Sequence, residues 1–493
     1  MIRRILYSLL VGALLASLVL APEILPTLAV KVGQATTPVQ LKVKAKNLTL
    51  VCPGAAYKSG GANGTKVGAF DRSGQSGIDL NTDLPAGASL VAMPLQGPGK
   101  VDSTVVASNN QLNVQFSGDA ISYTVSDPTG TAQQSSALIV AASYQTVSSG
   151  SLVGTLGAAC QRPTQEQWLV GANTNTGRES LLLLSNPAST DATVDLQIFG
   201  DQGAIDGSGL SGVSVPANRT TVLPLAGFAP DNSVLAVHVV SNGASIASWI
   251  QQRTVRGTVA SGADFISPSI EAAKSLSIPG LLKRGTDAAS ALISANSDYA
   301  DLTPTLELFV PGGKAATVTA QVIGTDSKTF GTVVQQRVQG GTASGIALPG
   351  LKDGNYSVFI TSDEPVLATV LLSRTDPTKS PATDFAWLPA VSNLTTARVM
   401  AVSNSAISKV SIANPNGVAT QATLTNLSTG AVVKISIPKF TSSVYTADPG
   451  SVLSISSELP LAATLVADFN SQISAIPFLD YRNLGGSLSV LVR

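Results

Sequence analysis

A turn motif that recurs three times constrains the fold of this chain more than any other feature. In each copy an asparagine ends an apolar segment, and a leucine lies ten residues further on, inside the next apolar segment. The three pairs are Asn186 and Leu196, Asn296 and Leu306, and Asn414 and Leu424. Asparagine favours turns, and the proline that follows it in two of the copies cannot donate to a sheet ladder. The motif predicts tandem copies of one module, with insertions in surface loops of a fixed framework.

The copy between residues 181 and 253 shows what such a module contains. Val194, Leu196 and Ile198 alternate with polar residues, which is the pattern of a strand with one buried and one wet face. Segments 234–240 and 245–251 flank the pair Asn242-Gly243, a strong hairpin signal. The module is therefore predicted to be a small antiparallel β-sandwich that closes with a hairpin.

Length and composition agree with this reading. A chain of 493 residues suits several domains of about 100 residues each. Charged residues make up only 12%, and glycine is abundant, which is typical of short strands and turns. We expect an all-β protein of tandem antiparallel β-sandwiches, Ig-like or jelly-roll-like, after an N-terminal signal or anchor helix. A β-propeller is the alternative, but blades of about 40 to 50 residues are shorter than these repeats.

The domain edges are predicted from the segments that follow each closing strand. Asp264-Phe265 and Asp384-Phe385 each lead to a proline, and the aromatic ring would hold the linker against the preceding sandwich. The predicted parts are a signal peptide or membrane anchor at 1–30, a divergent β domain with both cysteines at 31–165, and three β-sandwich repeats at 166–272, 273–390 and 391–493. Such a series would form a rod.

The N-terminal segment has the features of an export signal. Arg3 and Arg4 precede an apolar run at 5–21, and a loose small-residue cleavage site ends at Ala29. The run is also close to the minimum length for spanning a bilayer. The chain is therefore predicted to be extracytoplasmic, either secreted or anchored to the cell membrane by residues 5–21, with membrane contact only through this segment.

Cys52 and Cys160 are the only cysteines. An even count in an exported chain favours a disulfide between them, because extracytoplasmic compartments are oxidising. The alternative is a pair of separate buried thiols. A zinc centre is excluded, since the two cysteines and the single histidine supply fewer than four ligands.

The sequence contains no motif that assembles a catalytic or cofactor site. His238 is the only histidine, and the sequence places no nucleophile or orienting carboxylate near it. Asp264 and Asp384 occupy equivalent places in two copies, and this repetition indicates a structural role rather than a glycosidase pair. Lys plus Arg and Asp plus Glu are both 30, so no basic surplus points to nucleic acid. We expect no catalytic residue, metal, cofactor or nucleic-acid partner.

Three tryptophans are the candidates for a glycan-binding surface. Exposed rings at Trp168, Trp249 and Trp387, together with Tyr356 and Tyr445, would offer sugars a face to stack on. The alternative is packing in the core or at junctions, because Trp168 and Trp387 lie at predicted domain edges and Trp249 lies in a closing strand. Both interpretations stay open at this point.

Two stretches resemble a known family. Residues 48–54, with Cys52-Pro53-Gly54, and residues 159–187, from Cys160 through Trp168 to Asn186-Pro187, are similar to uncharacterised secreted or membrane-anchored actinobacterial proteins. The resemblance implies an envelope location and a paired cysteine, and it supplies no catalytic residues. The leading prediction is a non-enzymatic exported cell-envelope scaffold or interaction protein, whose partners are cell-wall glycan or envelope proteins. A carbohydrate-binding accessory protein for cell-wall polysaccharide is the second prediction, and an envelope hydrolase is the third.

Overall fold

The computed structural model describes residues 39–42, 48–59, 70–84, 88–96, 104–106, 112–126, 139–325, 330–376, 378, 382–394, 396–404, 407–469, 471–479 and 487–490. The predicted leader at 1–30 lies outside these residues. Strands and turns account for most of the described chain, and the sheets are antiparallel, so the predicted all-β class is confirmed.

Strand β1 (Val39–Lys42) precedes ten strands that lie between residues 48 and 159, which we call the first module. These strands are β2 (Leu48–Pro53), β3 (Tyr57–Ser59), β4 (Phe70–Arg72), β5 (Ser76–Thr82), β6 (Ser89–Pro94), β7 (Thr104–Val106), β8 (Leu112–Phe116), β9 (Ala120–Ser126), β10 (Ile139–Val147) and β11 (Gly154–Ala159). They form two sheets, ordered β2-β9-β6-β7 and β11-β10-β5-β8, and a small β3-β4 pair. Strands β10 and β11 pair antiparallel and close the module with a hairpin.

The second module spans residues 166–266. Its strands are β12 (Glu166–Val170), β13 (Arg178–Asn186), β14 (Ala192–Gly200), β15 (Gly203–Ile205), β16 (Val213–Val215), β17 (Arg219–Pro224), β18 (Ala236–Gly243), β19 (Ala247–Arg256) and β20 (Val259–Ile266), with a 3-10 turn at Leu225–Gly227. The sheets are β12-β18-β14-β15, with β16 also on β14, and β17-β13-β19-β20. Val194, Leu196 and Ile198 point into the core, as the alternation predicted.

The hairpin predicted at Asn242-Gly243 is wrong. Strand β18 pairs with β12 and β14, whereas β19 pairs with β13 and β20 in the opposite sheet. Gly243 ends β18 in register with Ala192, and its positive φ of 88° lets the chain leave one sheet for the other. The asparagine-glycine signal correctly marks a turn, but tertiary pairing decides which strands it connects.

The third module spans residues 273–389 and carries the helical insertion. Its elements are β21 (Ala273–Lys283), helix α1 (Thr286–Ala295), a 3-10 helix (Ser297–Leu302), β22 (Thr305–Phe309), β23 (Ala316–Gly324), β24 (Phe330–Val338), β25 (Ala343–Ala347), β26 (Gly354–Thr375) and β27 (Thr383–Pro389). The long strand β26 pairs with β21 and β23 through its first half and with β22 and β27 through its second half. One strand therefore belongs to both layers of this module.

The fourth module spans residues 398–477. Its strands are β28 (Arg398–Ala401), β29 (Ser408–Asn414), β30 (Thr420–Asn426), β31 (Val432–Ile437), β32 (Thr441–Ala447), β33 (Val452–Ser457), β34 (Ala462–Phe469) and β35 (Gln472–Pro477). The sheets are β28-β33-β30-β31 and β32-β29-β34-β35. Aliphatic side chains of both sheets fill one core between them.

The recurrent asparagine is a buried turn anchor in two of its three positions. The Asn186 amide nitrogen donates to the carbonyls of Thr190 and Val215, and its oxygen accepts the N–H of Ala188. Asn414 makes the same kind of bonds in the fourth module. Asn296 differs, because it follows helix α1 rather than a strand. The sequence preceding it is rich in alanine, a strong helix former, which explains the departure from the repeat.

The modules do not form a rod. Strand β11 of the first module packs against β20 of the second and β35 of the fourth, and β27 of the third packs against β20 and β35. The first and fourth modules are therefore neighbours, and residues 45–484 form one compact unit. Within this unit, each sheet is built from one contiguous segment of the chain, while the exact domain bounds stay a prediction.

A separate small unit consists of β1 and the last strand, β36 (Ser487–Val490). The two strands pair antiparallel, with Val39 opposite Val490 and Leu41 opposite Leu488. In the described part of the chain, no helix has both the length and the apolar character needed to cross a bilayer.

Candidate functional site

The last strands of the four modules meet at the centre of the large unit. We call the set β11, β20, β27 and β35 the central junction. Strands β20 and β27 contribute the equivalent acids Asp264 and Asp384, each followed by a buried phenylalanine. Strands β11 and β35 contribute main-chain N–H groups. Two carboxylates thus lie where four modules converge.

Asp384 joins three other modules through its two carboxylate oxygens. Oδ2 accepts the N–H of Thr155 at 3.1 Å and that of Ile473 at 2.9 Å, which belong to the first and fourth modules. Oδ1 accepts the N–H of Ala263 in the second module at 3.2 Å. The side chain therefore satisfies edge-strand donors that would otherwise be buried without acceptors.

Asp264 makes the complementary set of bonds. Oδ1 accepts the N–H of Gly157 at 3.0 Å and the hydroxyl of Ser474 at 3.1 Å, from the first and fourth modules. Oδ2 accepts the N–H of Trp387 in the third module at 2.9 Å. The two aspartates together bond the second and third modules to each other and to the first and fourth modules.

Two glycines make room for the Asp384 carboxylate. A Cβ atom at Gly154 would lie 2.7 Å from Asp384 Oδ1, and one at Gly262 would lie 2.9 Å from the same atom. Both glycines also have positive φ angles, 154° and 117°, which side chains disfavour. The close approach of β11, β20 and β27 therefore depends on glycine at these positions.

Burial is the largest cause of the pKa shift of both acids. It raises the pKa of Asp384 to about 8, although four main-chain hydrogen bonds oppose the rise. Burial also holds the pKa of Asp264 well above its usual range, and the neighbouring Asp384 adds to that rise. The exposed fractions are 0% for Asp264 and 1% for Asp384. These carboxylates act as hydrogen-bond acceptors between modules.

A polar cavity of about 20 Å³ lies beside the junction, between the second and third modules. This volume suits a single water molecule. Its wall includes the buried polar side chains of Gln252, Arg256, Glu307 and Trp387. Within the described chain, no protein group bonds to Gln252 Oε1, Arg256 Nε and Nη1, Glu307 Oε2 or Trp387 Nε1. Each unpaired buried polar group costs about 1 to 3 kcal/mol.

Ion pairs at the mouth of this cavity connect the same two modules. Asp301, in the third module, accepts Arg178 at 2.9 Å and Arg256 at 2.5 Å, both from the second module. The Arg256 guanidinium also lies 4.7 Å from the ring centroid of Tyr299, a cation–π distance. A similar pair, Arg374 Nε to Asp468 Oδ1 at 3.2 Å, links the third and fourth modules.

Replacing Glu307 by methionine is expected to stabilise the protein by about 1 to 3 kcal/mol at neutral pH. Glu307 is buried in the centre of β22, and burial holds its pKa well above the usual range. Methionine has a similar volume and leaves no polar atom without a partner. The measurement is the thermal unfolding midpoint, with Glu364→Met as the control because Glu364 is partly exposed and pairs only at 4.0 Å with Lys314. A lower midpoint for Glu307→Met would show that the carboxyl group has a stabilising partner.

Trp249 and Trp387 cannot form the predicted glycan-stacking surface. Their exposed fractions are 0% and 1%, because both rings fill module junctions. Trp249 packs with Val51 and Leu156 of the first module, and Trp387 packs in the core of the second module. Junction packing, the alternative left open above, is what the structure shows for these two residues.

Trp168 is partly exposed, but other side chains of the protein already pack against its ring. Its ring stacks on His238 with centroids 3.9 Å apart and lies 5.0 Å from Phe309. His238 Nε2 lies 2.9 Å from Glu166 Oε1, and Nδ1 lies 3.1 Å from Gln197 Oε1. This histidine packs on the surface of the second module, where its described side-chain partners are Trp168, Glu166 and Gln197. Of the other two candidates, Tyr356 is buried, and Tyr445 packs against the core of the fourth module.

Cys52 and Cys160 form the predicted disulfide. Both residues are fully buried. Strand β2 also pairs with the segment after β11, since Val51 and Gln161 exchange main-chain hydrogen bonds of 2.8 and 2.9 Å. The bridge therefore fixes the first strand of the first module's sandwich to the last.

The polar cavity was not predicted, although the sequence contains one signal for it. Glu307 is the single charged residue in the apolar segment 305–310, and an isolated acid in a core strand indicates a special environment. No local pattern pointed to Arg256 or Asp301, because they come together only when the second and third modules pack.

The fold and the junction define a class, that of all-β proteins built from packed antiparallel sandwiches. The chain belongs to a family of unknown function, DUF5719, whose model matches residues 114–436. The expectation of an uncharacterised family is thus confirmed, while its actinobacterial origin stays a prediction. No curated protein matches the chain. The BSP domain of a biofilm associated protein is similar at 10% identity, covering 93% of this chain and 99% of that one, with a TM-score of 0.11, which supports no argument about fold or function.

Proposed function

We propose that this protein is a non-enzymatic scaffold or interaction protein of the cell envelope, exported and either secreted or anchored by residues 5–21. The observation that carries the proposal is the central junction, in which Asp264 and Asp384 fix four modules through main-chain N–H groups. Such bonds hold the modules in one arrangement and leave the loops to vary. The Cys52–Cys160 disulfide supports an oxidising compartment.

The burial of the two junction acids supports a non-enzymatic role over the envelope hydrolase. A glycosidase needs two acids on either side of a cleft that admits the substrate. Asp264 and Asp384, the acids at equivalent places in two modules, are buried and already accept three or more hydrogen bonds each.

The carbohydrate-binding alternative is weakened by the positions of the tryptophans. A sugar platform needs an exposed ring, but Trp249 and Trp387 are buried and Trp168 is stacked on His238. Cell-wall glycan remains the second proposed partner, held through hydrogen bonds from loops. An envelope protein is the first.

A hairpin of the fourth module is the surface that best fits a protein partner. Eight large hydrophobic residues are exposed in the described chain, and six of them lie between Ile407 and Phe440. Leu427, Val432 and Val433 share the β30–β31 hairpin, with exposed fractions of 49%, 56% and 38%. Strand β31 is also the end strand of its sheet, which is the kind of edge to which a partner strand can add.

Introducing lysine at Val432 is expected to reduce capture of an envelope protein at least tenfold, with little effect on folding. A charge on an edge strand opposes strand addition and removes apolar contact area. The measurement is in-cell cross-linking followed by mass spectrometry of the envelope fraction. Val333→Lys is the matched control, since Val333 is 50% exposed on β24 in another module.

Equal cross-linking by both variants and the wild type would contradict a role for this hairpin. The same preparation tests the wider proposal. Recovery of the chain from the cytosol with both cysteines reduced would contradict export. Release of new reducing ends from isolated wall polysaccharide, lost in the Asp384→Asn variant, would contradict a non-enzymatic role.

A further inference from the structure

The Asp264 and Asp384 carboxyl groups are near enough at the central junction for the charge of one to act on the other. Asp384 Oδ1 accepts the N–H of Ala263, the residue next to Asp264. Both side chains are buried, so bulk water screens neither charge. Two like charges in such a site oppose each other's ionisation, and the pair holds protons more tightly than either acid would alone.

Among the residues that the structure describes, no Lys or Arg forms an ion pair with either aspartate. Strands β11 and β35 contain no charged residue, and β20 and β27 contribute only the two acids. Arg374 is the cross-strand neighbour of Asp384, but its guanidinium bonds to Asp468 and to the carbonyl of Thr375. The acids are therefore stabilised by N–H and hydroxyl dipoles alone.

The residues that line the cavity beside the junction do not supply a positive charge to neutralise the two aspartates. Asp384 lines this cavity together with Glu307, Asp301 and Arg256. Arg256 is paired with Asp301, which also binds Arg178, and Asp298 adds a further negative charge near Arg256. Glu307 is another buried acid. The charged groups that line this cavity are thus acids, or an arginine whose ion pair is with Asp301.

We propose that packing of the four modules is proton-linked: the closed central junction retains at least one proton on the Asp264–Asp384 pair and releases it when the modules separate. This inference goes beyond the scaffold function and does not depend on it. The raised pKa of both acids, about 8 for Asp384, agrees with the geometry.

The sign of the pH dependence follows from the direction of these shifts. An unfolded aspartate titrates near pH 4, whereas Asp384 in the folded protein titrates near 8. The proton stabilises the folded state fully below about pH 4 and progressively less up to about pH 8. For one proton, the folding equilibrium constant falls about tenfold per pH unit in this window.

The test is the unfolding equilibrium of the full chain in denaturant at pH values from 5 to 9. We expect the free energy of unfolding of the wild type to fall as the pH rises. In Asp384→Asn this fall should be less steep, by the slope that about one proton contributes. Asp79, whose pKa burial raises to about 6, contributes in the same direction, so the difference between variant and wild type is the quantity to compare. Asp206→Asn, on an exposed loop, is the control and should keep the wild-type slope.

Amide hydrogen exchange in the wild type covers the case in which the asparagine variant fails to fold. The N–H groups of Thr155, Trp387 and Ile473 report directly on the junction. Their protection, corrected for base-catalysed exchange, should fall between pH 6 and 9 relative to amides of β30 in the fourth module. Equal protection at all pH values, or an unchanged slope in Asp384→Asn, would overturn the proposal.

Discussion

Replacing Trp387 by alanine is expected to lower the free energy of unfolding by about 3 to 5 kcal/mol. The ring comes from β27 of the third module but fills the core of the second, where it packs with Leu169 and Leu182. A Cβ atom at Gly171 would lie 2.9 Å from the ring, so backbone and indole are in close contact. The indole N–H bonds to no described protein group, so the loss would come from packing alone.

Denaturant unfolding measures this effect, and two further variants sharpen it. Trp387→Phe keeps most of the ring and should cost less than half as much. Trp168→Ala is the matched control, because Trp168 is partly exposed at the edge of a smaller cluster. If Trp387→Ala lowers the free energy of unfolding no more than Trp168→Ala does, Trp387 is not the side chain that fills the contact between the second and third modules.

Removing the disulfide with the double change Cys52→Ala and Cys160→Ala is expected to cost about 4 kcal/mol. The cysteines are 108 residues apart, and closing so long a loop removes much entropy from the unfolded chain. The main-chain bonds between Val51 and Gln161 would remain, so the folded structure should change little. Alanine is preferred to serine because both sites are fully buried.

Chemical denaturation under oxidising and reducing conditions checks this expectation. Reductant should lower the midpoint of the wild type towards that of the double variant and leave the variant unchanged. A double variant as stable as the oxidised wild type would show that the bridge contributes nothing to stability. A sensitivity to reductant that persists without the cysteines would mean that the loss has another cause.

Local patterns in the sequence predicted the local parts of this structure. The alternation of Val194, Leu196 and Ile198 gave a strand with the correct buried face. Asn186 and Asn414 marked real turn anchors because an asparagine side chain bonds within its own turn. The cysteine count predicted the bridge because two residues allow only one pairing.

The features that depended on distant residues could not be predicted in the same way. Asn242-Gly243 signals a turn, yet whether β18 and β19 pair is decided by competition with β12 and β13. The burial of Trp249 and Trp387 depends on which modules touch, and nothing local to either residue specifies that. The repetition of Asp264 and Asp384 correctly indicated a structural role, but their donors lie on strands from every other module.

Strand β26 has a mechanical consequence for the third module. Because this one segment of 22 residues is shared by both layers, any force applied to either layer loads the same covalent backbone. Sliding one layer over the other would require breaking the ladders on both halves at once. We therefore expect this module to resist shear as a single element and to yield later under tension than the fourth module, whose layers share no strand.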